Sequence, residues 1–469
     1  MSDDEKRVES RKMARARREA QLKAEKARTK KKRKLTSSKV KNAEGPVRTK
    51  RKTNRAASAP VETSMKLGRS LRTGGAFIMR VSKKAYKDFN TFTQSSGDQL
   101  SSRKAPVEGS ALRRNMTFII FGLTVVVIMS IALMVLNNSS VSVDRVTVSI
   151  VGLDSNLEGY NILHISDLHG RSFGTNQTSL LRTINGLSYN LVVFTGDMVG
   201  RSNDPQPFYD LLEGMTANRP RYFISGDSDP QVLLDTPRDI VDTLDNMVLN
   251  DWVLGAKERG ATYLSTTMGV SVGTTTLWLS PASLLSIDIP TSLATVKEQL
   301  AQETDGAANG VITDYQNLPL TDYRYRKLNR LDQAVHNMTS SQTHIALSHV
   351  PPTQEYIEVT QMLGEQQTDE YAYLPTVDLV LAGHYCGGGW KLPFIGAIYV
   401  PNSSLDRHGW FPSQSDVEGL KQLGSTLLYT SPGLSVTDKI ALLPNFRLFN
   451  EPKITILTLT SAITNNLID

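Results

Sequence analysis

The chain has 469 residues, seven histidines, one cysteine and a net charge of +7, enough length for one large domain with extra segments or for two domains. A single thiol, Cys386, excludes an internal disulfide, so the fold relies on burial, to which a bound metal could add. The charge conceals two parts of opposite sign: residues 1–114 hold 33 Lys/Arg against 11 Asp/Glu, a net +22, leaving 20 against 35, a net −15, for residues 115–469. The basic character therefore belongs to an arm and not to the globular part.

Residues 1–34 are rich in Ala, Lys, Arg and Glu, and residues 35–110 in Ser, Thr, Lys and Gly. Neither stretch has an apolar face to bury, so residues 1–114 are expected to be a mostly disordered cytoplasmic tail. Such a tail can attract anionic lipid or nucleic acid without folding, or serve only to set membrane topology.

Met116 to Leu136 then runs 21 residues without a charge. At ~1.5 Å per residue this spans a ~30 Å hydrocarbon core. It is followed by NNSSVSVD and not by a small-x-small cleavage site, which argues against a cleaved leader. Arg113 and Arg114 precede it, and Asp144 is the first charge beyond it. The expectation is a single-pass transmembrane helix at 115–138, with the N-terminus cytoplasmic and residues 139–469 outside the cell membrane.

From Arg145 onward, β-branched runs alternate with helical stretches. Strands are expected at 145–151, 160–166, 190–195, 221–225, 343–348, 377–382, 395–400, 425–430 and 453–459, and helices at 176–187, 207–215, 291–303 and 324–338. That alternation implies an α/β domain with covered sheets. Residues 302–323 (QETDGAANGVITDYQNLPLTDY) read as a polar surface insertion.

Five of these strands end in polar clusters. They are Asp167-Leu168-His169-Gly170, Gly196-Asp197, Gly226-Asp227-Ser228-Asp229, His349-Val350-Pro351-Pro352, and Gly383-His384-Tyr385-Cys386-Gly387-Gly388. The C-terminal edge of an open α/β sheet is where ligands bind. Carboxylates, imidazoles and a thiol gathered there repel or stay unpaired unless a cation sits among them. Each signal alone is weak; the ordered set D-x-H, G-D, G-D-S-D, H-x-P, G-H-x-C-G-G is specific.

This ordered set resembles the calcineurin-like metallophosphoesterase superfamily over roughly residues 145–460, nearest to its compact bacterial branch with an N-terminal membrane segment. The resemblance implies a four-layer α/β/β/α sandwich and a phosphoester substrate hydrolysed by a hydroxide activated between two divalent ions (Zn, Mn or Fe). It implies Asp167 and His169 as ligands of a first metal and Asp197 as the bridge. Asp227, His349 and His384 would complete the second, with catalytic roles falling on Asp197, Asp227 and His349. Cys386 stands where the family usually has its last histidine, and a thiolate favours zinc or iron over magnesium. Where the family usually reads Gly-Asn-His-Glu/Asp, this chain has Gly226-Asp227-Ser228-Asp229. Ser228 supplies no imidazole, which leaves open a catalytically impaired protein that binds a phosphorylated ligand.

The remaining candidates take plainer expectations. His164, inside a strand, should be a core or supporting residue. His336 and His344 should lie on the surface. His408 has no assigned role, Trp390 and Trp410 should pack, and Tyr385 should be an exposed loop residue.

Overall fold

The computed structural model describes residues 116–129, 138, 140–239, 242–365, 372–401, 409–436 and 447–462. The basic tail lies outside that set. Residues 116–129 are helical and exposed, and the rest of the expected membrane segment, 130–136, again lies outside. Among the described residues, no helix is long and apolar enough to cross a membrane.

The apolar runs become strands β1 (Ser142–Ile150), β2 (Asn161–Ile165), β3 (Leu191–Thr195), β4 (Arg221–Ile224), β5 (Thr262–Tyr263), β6 (Met268–Val272), β7 (Thr275–Pro281), β8 (His344–Ser348), β9 (Leu379–Ala382), β10 (Lys391–Leu392), β11 (Gly396–Ala397), β12 (Gly419–Leu423), β13 (Thr426–Thr430) and β14 (Lys453–Ser461). One six-stranded sheet has the order β1-β14-β2-β3-β4-β5 and the other β12-β13-β9-β8-β7-β6. Within them, β2 to β5 run parallel, as do β7, β8, β9 and β13.

Side-chain alternation on the central strands explains the layering. On β3, Val192 and Phe194 enter a core shared with helices α1 (Thr178–Ile184) and α2 (Gln206–Gly214), while Leu191 and Val193 enter a second core. That second core also receives Ile345 and Leu347 of β8 and Leu379 and Leu381 of β9, so it lies between the sheets. Ala346, Val380 and Ala382 point the other way, into a third core. Two mixed sheets therefore pack face to face, with helices on their outer sides. Helices α3 (Leu244–Val248) and α4 (Asp251–Glu258) add to the first helical layer through Val248, Trp252 and Val253.

The stretch 302–323, expected as a polar surface insertion, is largely exposed and folds into the end of α5 (Ile289–Ala308) and the start of α6 (Ile312–Asn337), which pack on each other. Ile289, Leu328 and Leu331 anchor both helices in the third core. Gly310 (φ +84°) ends α5: its N–H reaches Ala307 O and that of Val311 reaches Gly306 O, the paired closure that only a left-handed residue allows. Helix α7 (Gln354–Glu365) adds Ile357 to the same layer. The run at 395–400 contracts to β11, paired only with β10. Strands β5, β6, β7, β10 and β12 fell outside the expected set. β5, β10 and β12 are short or mostly exposed, and β6 and β7 straddle a Gly-Thr turn that masks their alternation.

Candidate metal centre

The parallel register of β2, β3 and β4 pairs Ile165 with Phe194 and Thr195 with Ile224, so their C-terminal loops leave the sheet side by side. β8 and β9 are likewise neighbours, with Ser348 opposite Ala382. Backbone bonds tie the loops together: Asp167 N–H to Gly196 O (3.1 Å), His169 N–H to Asp197 O (2.7 Å) and Gly383 N–H to His349 O (3.0 Å). All seven expected ligands converge here.

They form two groups. Asp197, Asp227, His349 and His384 bring one ligand atom each within 4.8 Å of one another, and Asp167, His169 and Cys386 do the same. In the first, His349 Nε2 lies 3.3 Å from both Asp197 Oδ2 and Asp227 Oδ1, and His384 Nδ1 lies 3.6 Å from Asp227 Oδ1. In the second, Cys386 Sγ is 3.9 Å from His169 Nε2. The groups meet at one atom: Asp197 Oδ2 is also 3.6 Å from His169 Nε2. The Ser228 N–H holds the other oxygen, Oδ1, at 2.8 Å, which leaves Oδ2 turned to both groups.

The two imidazoles of the larger group are oriented by carbonyls. His349 Nδ1 faces Thr195 O at 2.9 Å and His384 Nε2 faces Pro401 O at 2.6 Å, so each of those nitrogens carries the proton. The lone pairs of His349 Nε2 and His384 Nδ1 then face each other at 3.0 Å, beside two carboxylates. Acceptors at that spacing need a positive charge among them. Burial opposes a charge on His349, yet the hydrogen bonds and charges of Asp197 and Asp227 outweigh it and hold its pKa well above the usual imidazole value. Burial likewise opposes ionisation of Asp197, and the contacts from His349, with those of His169 and Ser228, still keep its carboxyl below the ordinary range. The donor set fits a divalent ion. In the smaller group, burial foremost, with the charges of Asp167 and Asp197, pushes the Cys386 thiol well up. A metal would have to displace that proton.

The backbone is strained where the candidate ligands sit. Asp167 (φ +56°), His169 (+50°), Asp197 (+52°), His384 (+73°) and Cys386 (+52°) all occupy the left-handed region. For residues with a Cβ this costs on the order of 1–3 kcal/mol each and persists only when the surroundings enforce it. Close packing does so. A Cβ on Gly226 would lie 2.1 Å from Asp197 Oδ1, and one on Gly433 2.8 Å from Asp167 Oδ2.

Several supporting residues escaped the sequence. Arg447 is buried and donates to the carbonyls of Asn450 (2.9 Å), Gly433 (3.0 Å), Ser435 (2.5 Å) and Pro432 (2.8 Å). It thereby braces the loop whose Ser435 N–H holds Asp167 O at 2.8 Å. Burial lowers its pKa to about 10. Nothing near Arg447 in sequence signals this role, because its partners are backbone atoms. Asp229 accepts from the N–H groups of Val199 (2.8 Å), Gly200 (3.1 Å) and Gly226 (2.9 Å), locking the second and third motif loops together. Its place in the G-D-S-D run was the available clue.

His164 is buried as expected and bonds Thr195 Oγ1 at 2.8 Å. His336 is exposed and caps its own turn on Asp332. His344 is not a surface residue: it is buried, with Nε2 2.7 Å from Ser280 Oγ and Nδ1 3.1 Å from Pro375 O. Tyr385 is also buried, in a small core with Ala397, Val400 and Val417, instead of exposed on a loop. Trp390 is half-buried, Trp410 is 45% exposed and stacks obliquely on Tyr399, and His408 lies outside the described residues.

Residues 160–387, which contain all seven candidate ligands, match the calcineurin-like phosphoesterase family. That stretch of the chain belongs to the family. No curated protein matches this chain. Among solved structures it is similar to phosphopantetheinyl hydrolase from Mycobacterium tuberculosis, at 12% identity, 60% coverage of this chain, 91% of that chain and a TM-score of 0.28.

Proposed function

We propose that this calcineurin-like phosphoesterase hydrolyses phosphoric esters with two divalent ions, one held by Asp197, Asp227, His349 and His384 and the other by Asp167, His169, Cys386 and the shared Asp197. The observation that carries the reading is the single oxygen, Asp197 Oδ2, within 3.6 Å of a histidine from each group. Ions bound there would supply a water of lowered pKa and neutralise charge on the phosphoryl oxygens.

The protein's own part is orientation. Thr195 O and Pro401 O aim the two imidazoles, Ser228 N–H turns Asp197, and the His384 N–H fixes Asp167 through both carboxylate oxygens at 2.9 and 3.1 Å. Preset ligands spare the reorganisation that a flexible site would undergo at each turnover.

Full-length protein loaded with Zn, Mn or Fe should hydrolyse an aryl phosphodiester or monoester, lose activity to a chelator and regain it on metal addition. A folded chain that neither binds metal nor turns over any such ester would sink the reading. Bound metal without turnover would mark a module that only recognises phosphorylated ligands.

The uncharged run Met116–Leu136 and the arginines before it support a further part of the proposal. It anchors the enzyme in the cell membrane by one pass, with the basic tail cytoplasmic and free to meet anionic lipid or nucleic acid. A reporter fused after Asp469 should then be active outside the cytoplasm; cytoplasmic activity would reverse the topology.

A further inference from the structure

Helix α6 shares a cavity with one of the candidate metal ligands. A cavity of about 190 Å³ has His349 and Ser348 on one wall and Lys327 of α6, with Tyr263, Ser225 and Ser265, on the others. A second cavity, of about 390 Å³, shares Lys327, Tyr263, Ser225 and Ser265 and extends to Tyr323, one turn before Lys327 on the same face of α6. The two cavities share these four residues, and the smaller, more polar one also reaches His349, a candidate metal ligand.

Its charge is one-sided. Neither lining includes a carboxylate, and Lys327 is the one ammonium on both. Among the described residues its side chain has no ion pair; the bond at Lys327 is Thr266 Oγ1 donating to its backbone oxygen. Burial, with Arg324 nearby, pulls its pKa below the ordinary lysine value, as expected of a cation without a counter-charge. The tyrosines stay neutral: burial pushes Tyr263 up to about 12, and the two hydroxyls bond to Ser225 and Ser265. A half-buried cation flanked by hydroxyls, in a cavity that also reaches the candidate ligand His349, is complementary to an anion.

We propose that Lys327 binds a second anionic group of the substrate, so that this enzyme prefers phosphoesters carrying a further phosphate or carboxylate on the side facing the α5–α6 arm. The proposal rests on the phosphoesterase reading and deepens it. Lys327 is a specificity residue here, since it stands apart from the ligands that would meet the scissile phosphate.

The test uses full-length, metal-loaded protein and calorimetric binding of ethylphosphonate and propylphosphonate against phosphonoacetate, 3-phosphonopropionate and methylenebisphosphonate. Wild type should bind at least one doubly anionic probe about 10-fold more tightly than the simple phosphonates, the scale of one charge-assisted contact. The tighter of the carboxylate and bisphosphonate probes then assigns the second group. Lys327→Met should erase the preference while leaving metal content and simple-phosphonate affinity unchanged, and Lys327→Arg should keep most of it. Lys327→Gln substitutes if the Met variant folds poorly. No preference in wild type, a preference that survives Lys327→Met, or equal weakening of every probe overturns the proposal. Turnover of bis(p-nitrophenyl) phosphate is read in parallel. Its absence in wild type counts against the phosphoesterase reading, while the binding preference still decides on Lys327.

Discussion

The two ligand groups come from the same kind of strand-end loop, yet they are held in different ways. In the four-residue group each imidazole is aimed by a carbonyl on its far nitrogen, and Asp197 is turned by a backbone N–H. The set is nitrogen and oxygen throughout. The three-residue group depends on a buried thiol and on Asp167, whose backbone is braced by the loop that Arg447 pins. One group is oriented by atoms of or beside the ligand-bearing loops, the other also by the separate segment that Arg447 pins. A metal site can thus be completed locally or by distant scaffolding, and the two kinds should fail differently.

The largest effect should come from removing what the groups share. Asp197→Asn should lower metal content at both sites and cut esterase activity by about 10³-fold or more, a loss in the range of removing a central transition-state contact. If both metals remain, the shared-oxygen geometry has no functional meaning.

Next, His384→Ala should remove one ion per chain and leave the ion of the three-residue group, read by elemental analysis of the folded protein. Loss of both ions would show that the groups form one cooperative site. Gly226→Ala tests the same group without touching a ligand. Its new Cβ would press on Asp197 Oδ1, and metal affinity should fall by about 10- to 100-fold, as for other groups that support ligands.

For the other group, Cys386→Ala should lose one ion, whereas Cys386→His should keep two and shift preference from zinc toward manganese. Unchanged stoichiometry in both variants would make the thiol a bystander. The smallest expected effect on chemistry belongs to Arg447→Met. It leaves three buried carbonyls without donors, while Gly433 O keeps the Lys453 N–H, so the protein should lose about 3 kcal/mol of stability in denaturant unfolding. Metal should leave the three-residue group before the other. Equal loss from both would erase the distinction drawn between local and distant support.

The motif residues were legible because each follows an apolar strand, and strand ends are where polar side chains must collect. His164 was legible for the same reason, lying mid-strand. The arm was not: TDYQNLPLTDY lacks an apolar stripe in isolation, and its helicity depends on neighbouring Leu328 and Leu331 reaching the third core. His344 also misled. It begins a strand, where polar residues are commonly exposed, but Ser280 of β7 and Pro375 O satisfy it inside the fold.

The amino-acid sequence by itself determined the α/β pattern, the ordered motifs that resemble the family and the seven candidate ligands, since periodicity and ordered motifs are local properties of the chain. Tertiary structure alone decided that one carboxylate oxygen faces both groups and that five candidate ligands take strained left-handed backbone. It also decided that Arg447 braces Asp167 from afar and that Lys327 shares a cavity with His349. Those facts depend on which loops meet at two sheet edges, and close packing, not residue order, settles that.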